Sequence, residues 1–581
     1  MWNYKPPLRE MNFVIQKVLK AQDTWKHIPL FSELDAELSE QVLDEAAKYA
    51  TEVLAPTNVP GDLEGCEITP NGVKTPTGYK AAYAAFVEGG WPALACDPEF
   101  GGQGLPQLLN AALYEMLIAA NHAWAMYPGL LHGAYECIKG HASPELKTAY
   151  LDKVVSGEWL ATMCLTEAHA GSDLGLIRTK GSPQEDGSIL ITGNKIFISG
   201  GDQDMTDNIV HLVIFRLPDA PPGSKGISLA LVPKFLPDGT KNKVSVDSLE
   251  KKMGIKGSAT CVMNFDGAKG WLIGQPNRGL EAMFLMMNSA RVHVAIQGLA
   301  HLDNAAKNAL EYARERVQMR ASTKPENAPS GPADPIVFHP AIRRNLLELL
   351  ALSQGGRVMA YWSAHLIDIA ENSDDSIKRS AANNFASLLT PVIKSYLTEI
   401  GHVGANKALQ TWGGHGFIHD YGIEQSVRDS RIAMIYEGTN EIQALDLLCR
   451  KILPDGAQKL NLLLDELLES SKDVPSSYRL HIESMVALQR NATSALLEGS
   501  KNDSEWPQRI ATDYLKGMAF TLLSWAWGRF VLAIENESDS ASDPWFKEQL
   551  NYAQFGIEWL LPEGELAWKR VLQRENALPW L

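Results

Sequence analysis

The residues whose types and spacing suit chemistry fall in a few short motifs. Glu437 stands in Ile435-Tyr436-Glu437-Gly438-Thr439-Asn440-Glu441-Ile442-Gln443, where Asn440 and Gln443 read as a capping box. That reading places the carboxylate on a turn just ahead of a helix N-terminus, from which it can project into a cleft, although a glutamate before a helix is more often an ordinary capping or surface carboxylate. In Met163-Cys164-Leu165-Thr166-Glu167-Ala168-His169-Ala170-Gly171-Ser172-Asp173-Leu174-Gly175, small residues let backbone approach a flat ligand, and Thr166 and Ser172 offer hydroxyls. Phe197-Ile198-Ser199 adds an aromatic ring and a third hydroxyl, although a lone aromatic on a strand is more often core. Gln410-Thr411-Trp412-Gly413-Gly414-His415-Gly416-Phe417 is not a Rossmann turn, because a helix-like segment precedes it and G-x-G-x-x-G is missing. His415 and His419 are four apart but lie in a glycine-rich loop without a third ligand, so no metal site is expected. Asp97-Pro98-Glu99-Phe100-Gly101-Gly102 is explained by a structural turn alone.

These motifs sit at the joints of a helix, β, helix order. Helical spacing runs from Glu10 to about Gly157. Short β-rich runs follow at Ser188 to Thr192, Lys195 to Ser199, Ile209 to Phe215, Ile227 to Val232 and Thr260 to Phe265, with turns at Asp186-Gly187 and Gly193-Asn194. Helical spacing returns from Leu280 to Leu453, broken by an irregular Pro/Ser/Gly-rich stretch from Thr323 to Pro335. Pro454-Asp455-Gly456 ends a helix and begins a last helical segment. Trp506, Trp525, Trp527, Trp545, Trp559, Trp568 and Trp580 fall in that tail, too much apolar ring surface to leave in water. The expected fold is mainly α with a central β domain. Its parts are an N-terminal helical domain (1–160), a middle β-barrel domain (161–279), a four-helix domain (280–453) and a helical extension (457–581).

Composition narrows the partners. At 581 residues with 45% hydrophobic and 21% charged residues, the chain is ordinary globular protein with room for several cores. A net charge of -16 opposes binding to nucleic acid. Six scattered cysteines without a C-x-x-C pair read as reduced and cytoplasmic, and the sequence shows neither a signal-like start nor an obvious membrane span.

Taken together and in order, the motifs at 163–175, 197–199, 410–417 and 435–443 resemble the acyl-CoA dehydrogenase flavoprotein family. The resemblance covers roughly residues 30 to 453. It extends more loosely through the tail to a long bacterial branch with an extra C-terminal helical domain, which includes the 3-methylmercaptopropionyl-CoA dehydrogenases. It implies FAD-dependent α,β-dehydrogenation of an acyl-CoA to a trans-2-enoyl-CoA, with Glu437 taking the α-proton while FAD accepts the β-hydride. Ala290, just ahead of Arg291, fills the place where some members carry the base, leaving Glu437 without a rival.

The same resemblance implies that Met163, Leu165 and Thr166 line the isoalloxazine. Phe197 and Ser199 stand where tryptophan and threonine are common, packing on the flavin face and bonding near N5. Arg316 and Gln318 reach the FAD pyrophosphate of a neighbouring subunit, and Gln410, Gly413 and Gly414 receive the ADP half, with Thr439 and Glu441 in the same cofactor set. Ser172 serves both cofactor and pantetheine, Asn288 and Arg291 hold the nucleotide end of CoA, and Gly438 lies against the substrate. Met283, Met286 and Met287 read as core packing rather than an acyl pocket. Ala168 replaces a common proline and His169 a small or polar residue, which leaves the loop over the flavin without a rigid ring.

The implied partners are the acyl-CoA, electron-transferring flavoprotein and a second copy of the chain. An oxygen-using acyl-CoA oxidase and a non-catalytic scaffold on the same fold are the competing readings. The ending Leu578-Pro579-Trp580-Leu581 lacks the peroxisomal signal usual in such oxidases, and Glu437 argues against the scaffold. The acyl chain is not legible.

Overall fold

The structure, a computed structural model, describes residues 2–328, 330–538, 540–573 and 578–580. They form two compact units, Glu45–His293 and Met1–Asp44 with Val294–Leu581.

In the first unit, helices that include Tyr79–Glu88, Gln107–Ala125, Leu131–His141 and Pro144–Val155 precede a seven-stranded mixed sheet. Gln107–Ala125 is buried nearly all round, as its almost continuous apolar sequence requires, and Trp124 and Phe86 meet edge to face at 5.3 Å in this core. The sheet runs in the order Leu160–Cys164, Ile209–Phe215, Ser228–Pro233, Thr260–Ile273, Ile189–Ser199, Lys180–Pro183, with Val244–Leu249 also pairing to Thr260–Ile273. Leu160–Cys164 pairs parallel to Ile209–Phe215, and the other ladders are antiparallel.

Two expected strands differ in extent. Ile189–Ser199 is one strand, without a turn at Gly193-Asn194. Glycine is needed at 193 for close approach: a Cβ there would lie 2.5 Å from Thr179 Oγ1 and 2.9 Å from its Cα. Thr260–Ile273 runs past Phe265 and serves three neighbouring strands. The Asp186-Gly187 turn is present, with Gly187 at φ 80° and Gln184 N donating to Ser188 O at 2.8 Å.

The second unit is helical. Pro340–Asn372 packs along Ser376–Trp412. Within the latter, Pro391 has no N–H for the Ser387 carbonyl, and Lys451 Nζ supplies the missing donor at 2.6 Å. The tail helices Gln458–Glu469, Ser476–Gly499, Trp506–Glu535, Pro544–Phe555 and Leu561–Val571 pack on this body. Trp527, fully buried, donates to Ala351 O at 3.0 Å and lies against Gly355, while Trp525 meets Trp362 at 4.4 Å. The tail tryptophans 506, 525, 527 and 568 are thus buried within one chain. Trp506–Glu535 is long and apolar enough to cross a membrane, yet 89% of its apolar window is buried in the protein. The first residues join the same unit: Phe13 meets Phe530 at 5.0 Å, and Arg9 pairs with Asp543. Residues 323–328 and 330–334 are irregular, and Asp334, 1% exposed, anchors the stretch by accepting from Ala321 N at 3.0 Å and Lys324 Nζ at 3.1 Å.

Candidate active site

On the strand Ile189–Ser199, residues 189, 191 and 195 share the inward face, with exposures of 5%, 0% and 0%. Strict alternation would bury Phe197 as well. A bulge between Lys195 and Ile198 reverses the phase: Ile198 turns in at 2% exposed, and Phe197 stands out at 58%. Phe197 holds φ at 61°, a left-handed conformation that costs a non-glycine residue about 1–2 kcal/mol. An aromatic kept outward under strain is poorly explained by packing and suits a surface that receives a planar ligand.

The Met163–Gly175 segment runs beside this bulge. Ile196 N donates to Thr166 O at 2.9 Å, so Thr166 and Phe197 occupy adjacent backbone. Beneath them lies an ion pair that the sequence reading did not single out. Lys195 Nζ, fully buried, bonds Glu167 Oε1 at 2.9 Å and Leu165 O at 3.1 Å. Glu167 also accepts from Thr179 N at 3.0 Å, Thr179 Oγ1 at 2.6 Å and Arg178 N at 2.7 Å. Burial pushes the Glu167 carboxyl up, but the Lys195 ammonium and these donors outweigh it and hold the group at about 2. For Lys195, burial is the largest influence and pushes the ammonium down, with Glu167 opposing it. The inward phase of Lys195 among isoleucines was the available sequence signal.

Hydrogen bonds brace the loop around Ala168. Glu167 and Ala170 exchange backbone bonds at 2.9 and 3.0 Å, and His169 Nε2 donates to Leu176 O at 3.0 Å. Met163, Leu165, Thr166 and Ser199 are half-buried and Ser172 is exposed. A cleft of about 570 Å³ flanks the loop, lined by His169, Leu176, Arg178 and Arg216 among others. Arg216 fixes its wall by donating to the carbonyls of Gly175, Ile177, Pro221 and Gly223. On the helix Gly279–Glu315, Asn288 is exposed, Ala290 and Arg291 are buried, and Met283 and Met286 belong to the core.

In the second unit Glu437 has φ 57° and Gly438 φ 88°, two consecutive left-handed residues. The helix that follows is Asn440–Leu445, and its cap is Thr439, whose hydroxyl accepts from Ile442 N at 3.4 Å. The expected Asn440 and Gln443 capping box is not formed. Asn440 instead donates to Ser395 O at 3.0 Å, and Gln443 Nε2 reaches back to Glu437 O at 2.9 Å. A Cβ on Gly438 would sit 2.8 Å from that Gln443 nitrogen, so the turn demands glycine. Glu437, Gly438 and Thr439 are half-buried and Glu441 is exposed.

The remaining expected residues gather at another part of this unit. Tyr312 stacks on Trp412 at 4.3 Å, and its hydroxyl lies 2.9 Å from His415 Nδ1. Arg316 N bonds Tyr312 O at 2.8 Å, so Arg316 stands one helical turn beyond the ring that stacks on Trp412. Arg316, Gln318, Gln410, Gly413 and Gly414 are all exposed, and a Cβ at either glycine would meet nothing within 4 Å. His415 stacks on Tyr421 at 4.5 Å, and His419 bonds Glu424 at 2.6 Å.

A helical segment, a mixed sheet and a helical bundle follow one another along the chain. The FAD complex of an acyl-CoA dehydrogenase from Bacillus anthracis superposes with a TM-score of 0.75 at 20% identity, covering 94% of this chain and 90% of that one. The acyl-CoA dehydrogenase N-terminal, middle and C-terminal domain models match residues 36–158, 162–268 and 277–452. A 3-methylmercaptopropionyl-CoA dehydrogenase from Ruegeria pomeroyi is 40% identical over 460 residues, 78% of this chain and 77% of the relative. A broad-specificity linear acyl-CoA dehydrogenase from Mycobacterium tuberculosis is 36% identical over 469 residues, 78% of this chain and 76% of the relative. The chain belongs to the acyl-CoA dehydrogenase family. FAD is the family's cofactor, and the outward Phe197 ring with the nearby Thr166 and Ser199 hydroxyls fits an isoalloxazine.

Proposed function

We propose that the protein oxidises an acyl-CoA thioester to its trans-2-enoyl-CoA, with Glu437 as the base and electron-transferring flavoprotein as the acceptor, in fatty acid β-oxidation or a related acyl-CoA catabolism. The observation that carries this is the strained Glu437–Gly438 turn, which holds a single carboxylate off the axis of the following helix. Bound FAD supplies the hydride acceptor. Phe197 offers the flat surface on which the flavin packs, Thr166 and Ser199 offer hydroxyls to its polar edge, and Met163 and Leu165 line it. Ser172 serves the cofactor and the pantetheine chain. Glu437 takes the α-proton on its carboxylate, and Gly438 leaves room for the thioester beside it. Asn288 and Arg291 hold the nucleotide end of CoA, and Arg178 and Arg216 put positive charge along the 570 Å³ cleft, which suits a phosphate.

The exposed patch of Arg316, Gln318, Gln410, Gly413 and Gly414 receives the ADP half of a partner's FAD, with Thr439 and Glu441 in the same set, so the working form is a homodimer. Six free cysteines, four of them buried, support a reduced, cytoplasmic setting.

The test is anaerobic mixing of the purified yellow protein with acyl-CoAs of increasing length and with a methylthio-substituted propionyl-CoA, then re-oxidation by electron-transferring flavoprotein or by oxygen. At least one thioester is expected to bleach the flavin, and the flavoprotein to re-oxidise it much faster than oxygen. A flavin that no acyl-CoA bleaches would favour the scaffold reading, and fast re-oxidation by oxygen would favour the oxidase.

A further inference from the structure

We propose that Lys394 is a positioning residue for Glu437: its buried ammonium, 2.7 Å from the Gly438 carbonyl and 3.2 Å from Asn440 Oδ1, locks the Glu437–Gly438 turn and so fixes where the carboxylate points. The proposal rests on the reading of Glu437 as the base.

Lys394 lies in the apolar run Leu388-Leu389-Thr390-Pro391-Val392-Ile393-Lys394-Ser395-Tyr396-Leu397 of the helix Ser376–Trp412. It is 0% exposed, as are Leu389, Val392, Ile393 and Leu397. Lysine is the residue least suited to such a place, because its ammonium gives up its hydration, so its donors must be met by acceptors worth that loss. Two of those acceptors belong to the motif that carries the base.

The turn needs such a clamp. Two successive residues in left-handed conformations, the first of them a glutamate, relax towards ordinary backbone unless neighbours hold them. Gln443 Nε2 holds the Glu437 carbonyl at 2.9 Å, and Lys394 Nζ holds the next carbonyl at 2.7 Å. Lys394 also grips Asn440, whose amide is tied to Ser395 O at 3.0 Å, so the start of the following helix is fixed to the same surface. The carbonyls of the Glu437–Gly438 and Gly438–Thr439 peptide links therefore have amide and charged donors fixed to surrounding helices, and the carboxylate inherits that rigidity.

The experiment uses the full-length FAD-loaded protein and Lys394→Met, which keeps the length of the side chain and removes its donors, alone and combined with Glu437→Gln. Three quantities are read: FAD content, the acyl-CoA dissociation constant from the flavin spectrum, and the rate of anaerobic flavin bleaching. Lys394→Met is expected to leave FAD content and the dissociation constant within about twofold while bleaching slows about 100-fold, the loss typical of a reacting group misplaced by an ångström. In the Glu437→Gln background the same change is expected to slow the residual rate less than about twofold, because a residue that acts through the base has nothing left to position. Lys394→Gln, which keeps a shorter donor, is expected to fall between.

Bleaching within about threefold of the parent, with Glu437→Gln inactive, overturns the proposal while leaving the base assignment standing. Equal losses in both backgrounds, or failure of both Lys394 variants to retain FAD, mark Lys394 as a packing residue and overturn it too. A Glu437→Gln protein that bleaches at the parental rate overturns the base assignment and this proposal with it.

Discussion

Replacing Lys195 by methionine strands the Glu167 carboxylate in the interior of the Glu45–His293 unit. Glu167 is 5% exposed and loses its only cationic contact below 3 Å, keeping Thr179 N, Thr179 Oγ1 and Arg178 N as donors. Breaking one side of a buried ion pair costs about 3–5 kcal/mol, and three surviving donors place the loss near the lower end, about 3 kcal/mol. Glu167→Gln strands the ammonium in turn, with Leu165 O as a remaining acceptor, and costs a similar amount. The double variant buries no charge at this site and should cost about 1–2 kcal/mol, so the coupling within the cycle is about 4–5 kcal/mol. The assay is native-state hydrogen exchange of the strand Ile189–Ser199 in the full-length protein, which reports local opening without assuming that the whole chain melts together. A loss of about 3 kcal/mol speeds exchange there roughly 100-fold, since each 1.4 kcal/mol is tenfold. The pH dependence has a definite sign. Because Glu167 is held at about 2 against an ordinary 4.5, its contribution is complete above about pH 4.5 and fades as pH falls towards 2. The ratio of variant to parent exchange should therefore be flat near neutrality and shrink on acidification. Two single variants whose effects simply add in the double, or a Lys195→Met protein exchanging within about threefold of the parent, would refute the claim that this pair ties the Met163–Gly175 segment to the strand Ile189–Ser199.

Further outcomes follow from single positions. Phe197→Gly relieves left-handed strain of about 1–2 kcal/mol and adds about 0.5–1 kcal/mol of glycine entropy cost, so stability should change little. FAD affinity, measured by fluorescence titration, should nevertheless fall more than about tenfold, and an unchanged affinity would remove Phe197 from the flavin site. Trp527→Ala empties a fully buried site against Gly355 and Gly556 and should cost about 3–5 kcal/mol, seen as faster protease cleavage between the helical body and the tail. Light scattering should show a dimer for the parent; a monomer that keeps its FAD would contradict the proposal that a partner's patch completes the ADP site.

Much of this architecture is legible in the sequence because it depends on local pattern. The helix, β, helix order follows from a change of period, and the Asp186-Gly187 turn from its residue types. Glu437 was also legible as a carboxylate on a turn before a helix, although the cap is Thr439 and the expected Asn440 and Gln443 pair are spent on other partners. What the pattern hides is set by distant partners. Leu160–Cys164 becomes a strand by pairing with Ile209–Phe215, nearly fifty residues on. Phe13 and Arg9 find their contacts at Phe530 and Asp543. Lys195 and Lys394 look like ordinary surface lysines until their phase is noticed, one on the inward face of a strand and the other inside an apolar helical run. The outward turn of Phe197 depends on a bulge that strict alternation does not reveal.

The central claim is that Glu437 removes the α-proton, and Glu437→Gln tests it most directly. The change keeps side-chain volume and one carbonyl oxygen, and the backbone contacts of the turn from Gln443 and Lys394 do not involve the carboxylate. FAD and acyl-CoA should therefore still bind, and rapid mixing with the best substrate should show the spectral perturbation of binding. Loss of a positioned general base costs about 100- to 10,000-fold, and with Ala290 unable to replace it the loss should reach the upper end, leaving almost no flavin bleaching. Bleaching within about tenfold of the parent rate would contradict the account and place the base elsewhere.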